Sequence, residues 1–372
     1  MPTTGSPPPP LVLFLSRTRY RLPLAPSVAA KFEALAPALD VHVFATAAPG
    51  SATRAEGFTL VPPLRPRALD GAVFWLRLPW RAAGLLRRLR PTAVICQTPY
   101  EAAAALFARR LAGVRTRVVL EVHADWRTST RLYGSPARRV VGPLGDAIAA
   151  AAVRRADTVR TVSPFTSRLV RELGVEPAAS FPAYMELRPF LAARRALPER
   201  PVVLFVGVLE AYKNIDGLAE AWRLAAPKVP DAQLHLVGKG SRGDVAEALA
   251  RDHGARWDPE LTAAEVADAL DEAWLLVLPS RSEGMGRVLV EAFCRGRGVV
   301  GTRAGSIPDL VTDGDSGLLV VPDDPAALAE ALVRVLSDRA LAERLGEGAA
   351  AAAGPWLQTP EEYARRVREL VG

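Results

Sequence analysis

The chain has 372 residues, of which 49% are hydrophobic and 23% charged, and its formal net charge is +7. Such a length favours two domains over one, and the composition is that of a globular protein with a full core. The apolar runs, such as LVLFL at 11–15, are too short to span a membrane, and the basic excess comes without a nucleic-acid recognition module. An anionic partner is the reading left open, either phosphate or a membrane surface.

Residues 1–10, MPTTGSPPPP, have no basic stretch ahead of an apolar core, so they read as a disordered tail and not as a signal peptide. Short apolar runs then follow at LVLFLS (11–16), VHVFAT (41–46), AVICQT (93–98), RVVLEVH (117–123) and TVRTVS (158–163). Helical patterns separate them, as in 26–39 and 100–113. This alternation predicts βαβ units and a parallel sheet, whose strands are apolar throughout because both faces are covered. A polar segment with arginine and proline, LAARRALPERP (191–201), interrupts the pattern. The alternation restarts with VVLFVG (202–207), AQLHLVG (232–238), WLLVLPS (274–280), GVVGT (298–302) and GLLVV (317–321). The fold class expected is therefore α/β with two Rossmann-like parallel-sheet domains, the first over 11–193, a linker at 194–201 and the second over 202–357. The final segment opens with Thr359, Pro360 and two acids, which suits a terminal helix.

Cys96 and Cys294 lie in separate halves with no metal-ligand spacing, so a reducing cytoplasm is expected. Only Lys31, Lys213, Lys228 and Lys239 are lysines; a lysine kept against so strong an arginine bias is less often incidental.

The richest stretch is PSRSEGMGRVLVEAF, 279–293. A strand is expected to end near Ser280, a loop with two glycines follows, and a helix starts near Arg287. Ligands of open α/β sheets bind at such strand ends, and a helix start offers free N–H groups to phosphate. Glu283 lies in the loop, where a carboxylate can accept bonds from hydroxyls, and Glu291 lies one or two turns into the helix. A second strand end at Gly207 is followed by Lys213, just before a helix at Asn214, where a lysine can meet a diphosphate as a point charge. His123 ends a strand in the first half, next to Asp125, Trp126 and Arg127. The first loop, SRTRYRLPLAPS (16–27), presents Arg17, Arg19 and Arg21, a cluster suited to an anionic acceptor or to phosphate.

The E-x7-E spacing of Glu283 and Glu291 resembles the donor-site signature of retaining GT-B glycosyltransferases of family 4. The resemblance covers nearly the whole chain and is strongest from about 200 to 340. It implies a nucleotide diphosphate sugar as co-substrate, no cofactor and no metal, and transfer to an acceptor hydroxyl with retention. It also implies roles for particular residues. Glu283 would contact sugar hydroxyls, Glu291 the ribose, and Gly207, Lys213 and the Gly284, Met285, Gly286, Arg287 stretch the diphosphate, while His123 would approach the transferred sugar. The final segment, 358–372, would cross back to the first domain. Three departures stand out: Val208 replaces an expected arginine, Ala183 and Tyr184 replace Asn-Gly, and arginines replace Gly-Gly in the first loop. Arg281 or Arg287 are candidates to substitute for the missing cation. A nucleotide-sugar epimerase and a non-catalytic carbohydrate- or lipid-binding protein are the alternatives.

Two further motifs invite misreading. GKGSRG (238–243) fits a dinucleotide-binding fingerprint, and DGD (313–315) fits a metal-binding D-x-D, but the second reads better as a turn into a strand. Residues 71–91 hold Trp75, Trp80 and a run of arginines, and read either as a helix buried on the sheet or as a peripheral contact on the inner membrane face. Pro79 is expected to break that pattern.

Overall fold

The computed structural model describes residues 8–64, 67–128 and 136–372; residues 1–7 of the expected tail lie outside the described residues. Among the described residues the strands form two sheets. The first contains β1 (Leu11–Tyr20), β2 (Asp40–Ala47), β3 (Arg54–Ala55), β4 (Phe58–Val61), β5 (Ala93–Cys96), β6 (Arg117–Val122), β7 (Thr158–Thr161) and β8 (Ala179–Ser180). Its spatial order is β3-β4-β2-β1-β5-β6-β7-β8, parallel except for the β3–β4 pair. The second contains β9 (Val202–Val206), β10 (Gln233–Val237), β11 (Arg256–Asp258), β12 (Leu275–Leu278), β13 (Gly298–Thr302) and β14 (Gly317–Val320), in the all-parallel order β11-β10-β9-β12-β13-β14.

Helices cover both faces of each sheet, which is why the central strands are continuous apolar runs. In the first domain, helices Arg67–Leu89, Pro99–Ala112 and Pro136–Arg155 bury one face over Leu13, Leu15, Val94 and Leu120. Pro26–Leu35 and the terminal Pro360–Val371 bury the other, with Tyr363, Val367 and Leu370 packed on Val12, Phe14 and Ile95. The last helix thus belongs to the first domain's core. Helix starts follow local chemistry: Thr98 with Glu101, and Ser163 with Thr166, form reciprocal caps that satisfy otherwise orphaned N–H groups.

Three expectations need correction. The first loop does not begin at residue 16, because β1 continues to Tyr20 through pairs of Arg19 with Thr46 and Tyr20 with Ala47. Pro79 does not end its helix, which runs unbroken over Arg67–Leu89 because Phe74, Leu78, Ala82 and Leu86 are all buried on the sheet. The chain also joins the second domain's core before the linker expected at 194–201, since Met185, Leu187 and Phe190 already pack with Leu276, Leu289 and Phe293.

The segment after Phe190 is strapped down by two arginines that sequence inspection does not single out. Arg295 donates to Asp271 and to the carbonyls of Ala192 (2.8 Å) and Ala193 (3.0 Å), and both charged side chains are 3% exposed. Arg297 donates to the carbonyls of Leu270 (2.8 Å) and Arg195 (3.0 Å), and burial pushes its guanidinium down to about 10. Arg295→Lys keeps the charge but loses the fork that reaches several acceptors at once. It should lower the unfolding free energy by about 2 kcal/mol, the scale of one charge-assisted hydrogen bond. Urea melts would read this, and an unchanged midpoint would show that the strap contributes no stability.

Candidate functional site

In the second sheet the winding reverses between β9 and β12. Open α/β sheets bind ligands outside the carboxyl ends of strands at such a point. The loop after β9 brings Lys213, and the loop after β12 brings Glu283. Lys213 closes the 3₁₀ turn Ala211–Lys213 directly before Asn214, whose positive φ of 56° starts helix Ile215–Ala225 and whose side chain caps Gly217 N at 3.2 Å. The lysine therefore emerges at the positive end of a helix.

The two side chains meet. Lys213 Nζ donates to Glu283 Oε1, and Ser280 Oγ donates to the same oxygen at 2.9 Å. Their side chains are only 10% and 8% exposed. This differs from the solvated, mobile lysine that a loop position suggests. The Glu283 carbonyl is held by Ser306 N at 2.9 Å. Gly305 makes that approach feasible: its φ is +56°, and a Cβ there would lie 2.1 Å from the Glu283 carbonyl oxygen.

GKGSRG lies behind this loop and braces it. Leu209 N donates to Lys239 O (3.1 Å) and Arg242 N to Leu209 O (2.8 Å), while a Cβ on Gly238 would fall 1.9 Å from Gly207 O. Gly207 passes beside the lysine stem, where its own missing Cβ would sit 3.5 Å from Lys213 Cε. DGD lies at the turn that feeds β14: Asp313 pairs with Arg303 and caps Leu319 N at 2.9 Å, and Gly314 has a φ of +81°. No group of three His, Cys, Asp or Glu side chains that could hold a metal occurs among the described residues.

Beyond Glu283 the chain turns through Gly284, Met285 and Gly286 into helix Arg287–Cys294. Met285 is buried and accepts at sulfur from Ala183 N at 3.4 Å, so the position where Asn-Gly was expected packs against the loop after β12. Arg287 is exposed, and one turn further on Glu291 is half-buried. Burial raises the Glu291 carboxyl above its ordinary range, and Arg287 opposes that shift. Val208 is exposed where a cation was expected. Arg281 does not replace it, because it is held by Asp323 (2.6 Å) and by the Ala211 carbonyl (2.7 Å).

The first domain meets this loop from the other side. Ser163 Oγ donates to Gly284 O at 2.6 Å, and a Cβ on Gly284 would fall 1.8 Å from His123 O. The His123 backbone is thus brought to the loop after β12. Its ring Nε2 lies 3.2 Å from Glu121, and burial lowers its basicity although Glu121 opposes the shift. Burial also works against ionisation of Glu121, but Arg160, His123 and Lys31 overcome it and hold this carboxyl well below the usual range. Arg160 is fully buried, paired with Glu121, bonded to the carbonyls of Phe181 (3.0 Å) and Pro182 (2.7 Å), and stacked 3.8 Å over the Phe181 ring. Glu121 and Arg160 were not among the expected residues. The available signal was a charged residue inside a strand buried on both faces, where charge persists only when paired.

The other expected first-domain residues make contacts within that domain. Trp126 is buried in the core with Leu120 and Val159. Arg127 stacks over Trp126 and pairs with Glu172 (3.1 Å), and Asp125 caps Arg127 N (2.9 Å). Arg17 turns toward Asp70 at 3.7 Å while its N–H donates to the buried Glu101 at 2.7 Å. Arg19 and Arg21 remain exposed, Arg21 reaching Pro49 O at 3.4 Å.

Residues 190–352 match the glycosyl transferases group 1 family, and residues 24–180 match the glycosyl transferase 4-like domain. A D-inositol 3-phosphate glycosyltransferase of Streptomyces avermitilis is 30% identical over 235 residues, covering 58% of this chain and 50% of that protein. The sulfoquinovosyl transferase of Arabidopsis thaliana is 29% identical over 179 residues, covering 47% and 34%. The chain thus spans half or less of these relatives' own length. Among solved structures, sucrose-phosphate synthase from Thermosynechococcus elongatus superposes with a TM-score of 0.76 at 19% identity, covering 97% of this chain and 98% of that one. Anabaena HepE, in complex with UDP-glucose, gives 0.68 at 17% identity, covering 97% and 99%. With two facing Rossmann-like domains and adjoining family matches over most of its length, the chain belongs to the GT-B glycosyltransferases of the family 4 type.

Proposed function

We propose that the chain transfers a hexosyl group from a nucleotide diphosphate sugar to an acceptor hydroxyl, with retention of configuration and without a metal ion or a bound cofactor. The observation that carries this reading is the Lys213–Glu283 pair, held at the switch point of the second sheet in a loop whose Gly284 lies against the His123 backbone. Lys213 would exchange part of its contact with Glu283 for the donor's diphosphate, at the positive end of helix Ile215–Ala225. Glu283, freed on that side, would accept hydroxyl bonds from the sugar. Glu291 would take the ribose. With Val208 uncharged and Arg281 tied to Asp323, Arg287 is the candidate in this loop to share the phosphate charge. Because Glu283 already answers to Lys213 and Ser280, it is a poor candidate for an attacking nucleophile. Front-face attack assisted by the leaving diphosphate fits better, with catalysis resting on positioning and charge stabilisation.

A donor of this class is supported by the complex of HepE with UDP-glucose. The acceptor would be anionic, in keeping with the exposed Arg19 and Arg21 and with relatives named for an inositol phosphate. A thermal-shift screen of UDP-, GDP-, ADP- and dTDP-sugars tests the reading, since ligands that bind only the folded state raise stability by mass action. One donor should raise Tm with excess EDTA present, and incubation with that donor alone should leave its sugar configuration unchanged. Failure of every donor, or a shift abolished by EDTA, would overturn the reading. Epimerisation of the donor would assign the chain to another reaction.

A further inference from the structure

Helix Arg67–Leu89 has two apolar faces. Phe74, Leu78, Ala82 and Leu86 are buried on the sheet, and Trp75 packs edge-on against Phe74 and Tyr100. Leu76 (73% exposed) and Trp80 (62%), four residues apart, point the other way. They do not stand alone. Trp80 lies edge-on to Phe107 of the neighbouring helix Pro99–Ala112, with ring centroids 6.3 Å apart. On the next helix, Pro136–Arg155, Leu144 (63% exposed) and Ile148 (43%) again recur at a spacing of four. Between the last two helices runs a groove of ≈ 590 Å³ floored by Ala103, Leu106 and Ala151. Three adjacent helices thus present one continuous apolar surface on the outside of the first domain, larger than scattered exposed side chains produce.

The charge around this surface selects its partner. Every exposed ionisable side chain described on these three helices is an arginine, including Arg77, Arg81, Arg88, Arg110 and Arg155. Asp70 and Glu101 are turned inward to Arg17 and to backbone N–H groups, and Asp146, between Leu144 and Ile148, is half-buried. A second copy of the chain would bring arginine against arginine. A neutral apolar partner would leave the arginines unanswered. No helix among the described residues is long and apolar enough to cross a membrane. We infer that this surface docks on an anionic bilayer, with Leu76, Trp80, Phe107, Leu144 and Ile148 entering the headgroup boundary and the arginines meeting lipid phosphates. The donor site is not needed for this, and the two readings fail separately.

Co-sedimentation of the full chain with vesicles provides the test. Vesicles of phosphatidylcholine mixed with phosphatidylglycerol should bind it, in a salt-sensitive way, and pure phosphatidylcholine vesicles should bind it far less. Leu76→Ser with Trp80→Ser, both exposed positions, should weaken binding at least tenfold in a protein with an unchanged thermal melt. Arg77→Glu with Arg81→Glu should do the same, each basic residue near an anionic surface contributing about a factor of five. Binding that survives either pair, or that is equal on neutral lipid, overturns the inference. So does an absence of vesicle binding, and a dimer in sedimentation that Trp80→Ser dissolves would assign the surface to a second copy.

Discussion

Gly284→Ala is expected to lower turnover by about 100-fold or more while leaving nucleoside diphosphate affinity within a few-fold of the parent. The position is one of the places where the two domains touch. A Cβ built there lies 1.8 Å from His123 O and 2.6 Å from Ala124 Cα, and both are backbone atoms that no rotamer change can move. The added methyl therefore holds the first domain off the donor loop, and stretches the bond from Ser163 to the Gly284 carbonyl. A displacement of about 1 Å between reacting groups costs on the order of 10²-fold in rate. The side chains proposed to bind the nucleotide lie in the second domain, so their geometry should persist. Steady-state transfer rates and calorimetry on one preparation separate these effects. Parent-like turnover would show that the approach of His123 to Gly284 plays no part in the reaction.

Removing either member of the Lys213–Glu283 pair should damage both stability and activity, and the double variant tells the two apart. From its loop position alone, Glu283 could be exchanged for glutamine at little cost to the fold. Its burial against a buried lysine argues otherwise. Lys213→Met leaves a carboxylate without its countercharge, a change that typically costs about 3–5 kcal/mol. Glu283→Gln strands the lysine in the same way, eased by its proximity to the loop surface. Lys213→Met combined with Glu283→Gln removes both charges and should recover part of the lost stability, a coupling that chemical denaturation measures directly. Activity should behave differently. Each single variant should lose roughly 100-fold in kcat/KM, because diphosphate and sugar hydroxyls are each deprived of a charged partner worth about 2–3 kcal/mol. The double variant should be no better. Recovery of activity along with stability would make the pair structural, and additive losses of stability would show that the charges do not interact.

A similar comparison applies to His123, whose ring lies 3.2 Å from the buried Glu121 carboxylate. Sequence places a histidine at the end of β6, but only the folded sheet puts Arg160 of β7 beside Glu121. Adjacent parallel strands align Glu121 with Arg160 in register, so two charges that look anomalous in apolar strands neutralise one another.

Much of the architecture is local and was therefore readable. The central strands of both sheets announce themselves as short β-branched runs, and the helices between them by their apolar period, because each must bury its own face. The loops after β9 and β12 are legible for the same reason: glycines and a helix start follow each strand end. What failed to show were elements whose existence depends on a neighbour. β3, β8 and β11 are two or three residues long and lie at sheet edges, and β4 depends on its pairing with β2. Helix Pro136–Arg155 carries Gly142, Pro143 and Gly145, residues that oppose an isolated helix. It forms because Ala149, Ala152 and Val153 are buried against the sheet. The candidate site divides along the same line. Residue type, strand-end position and the family resemblance singled out Lys213, Glu283, Glu291 and His123, but their partners come from far along the chain: Lys213 meets Glu283, and the His123 carbonyl lies against Gly284. Trp126, Arg127 and Arg17 fitted the same chemical description, yet packing directed them to the core, to Glu172 and to Asp70. A side chain's chemistry is written in the residue, but its direction and its partner are set by which strands and helices come together, and only the tertiary structure decides that.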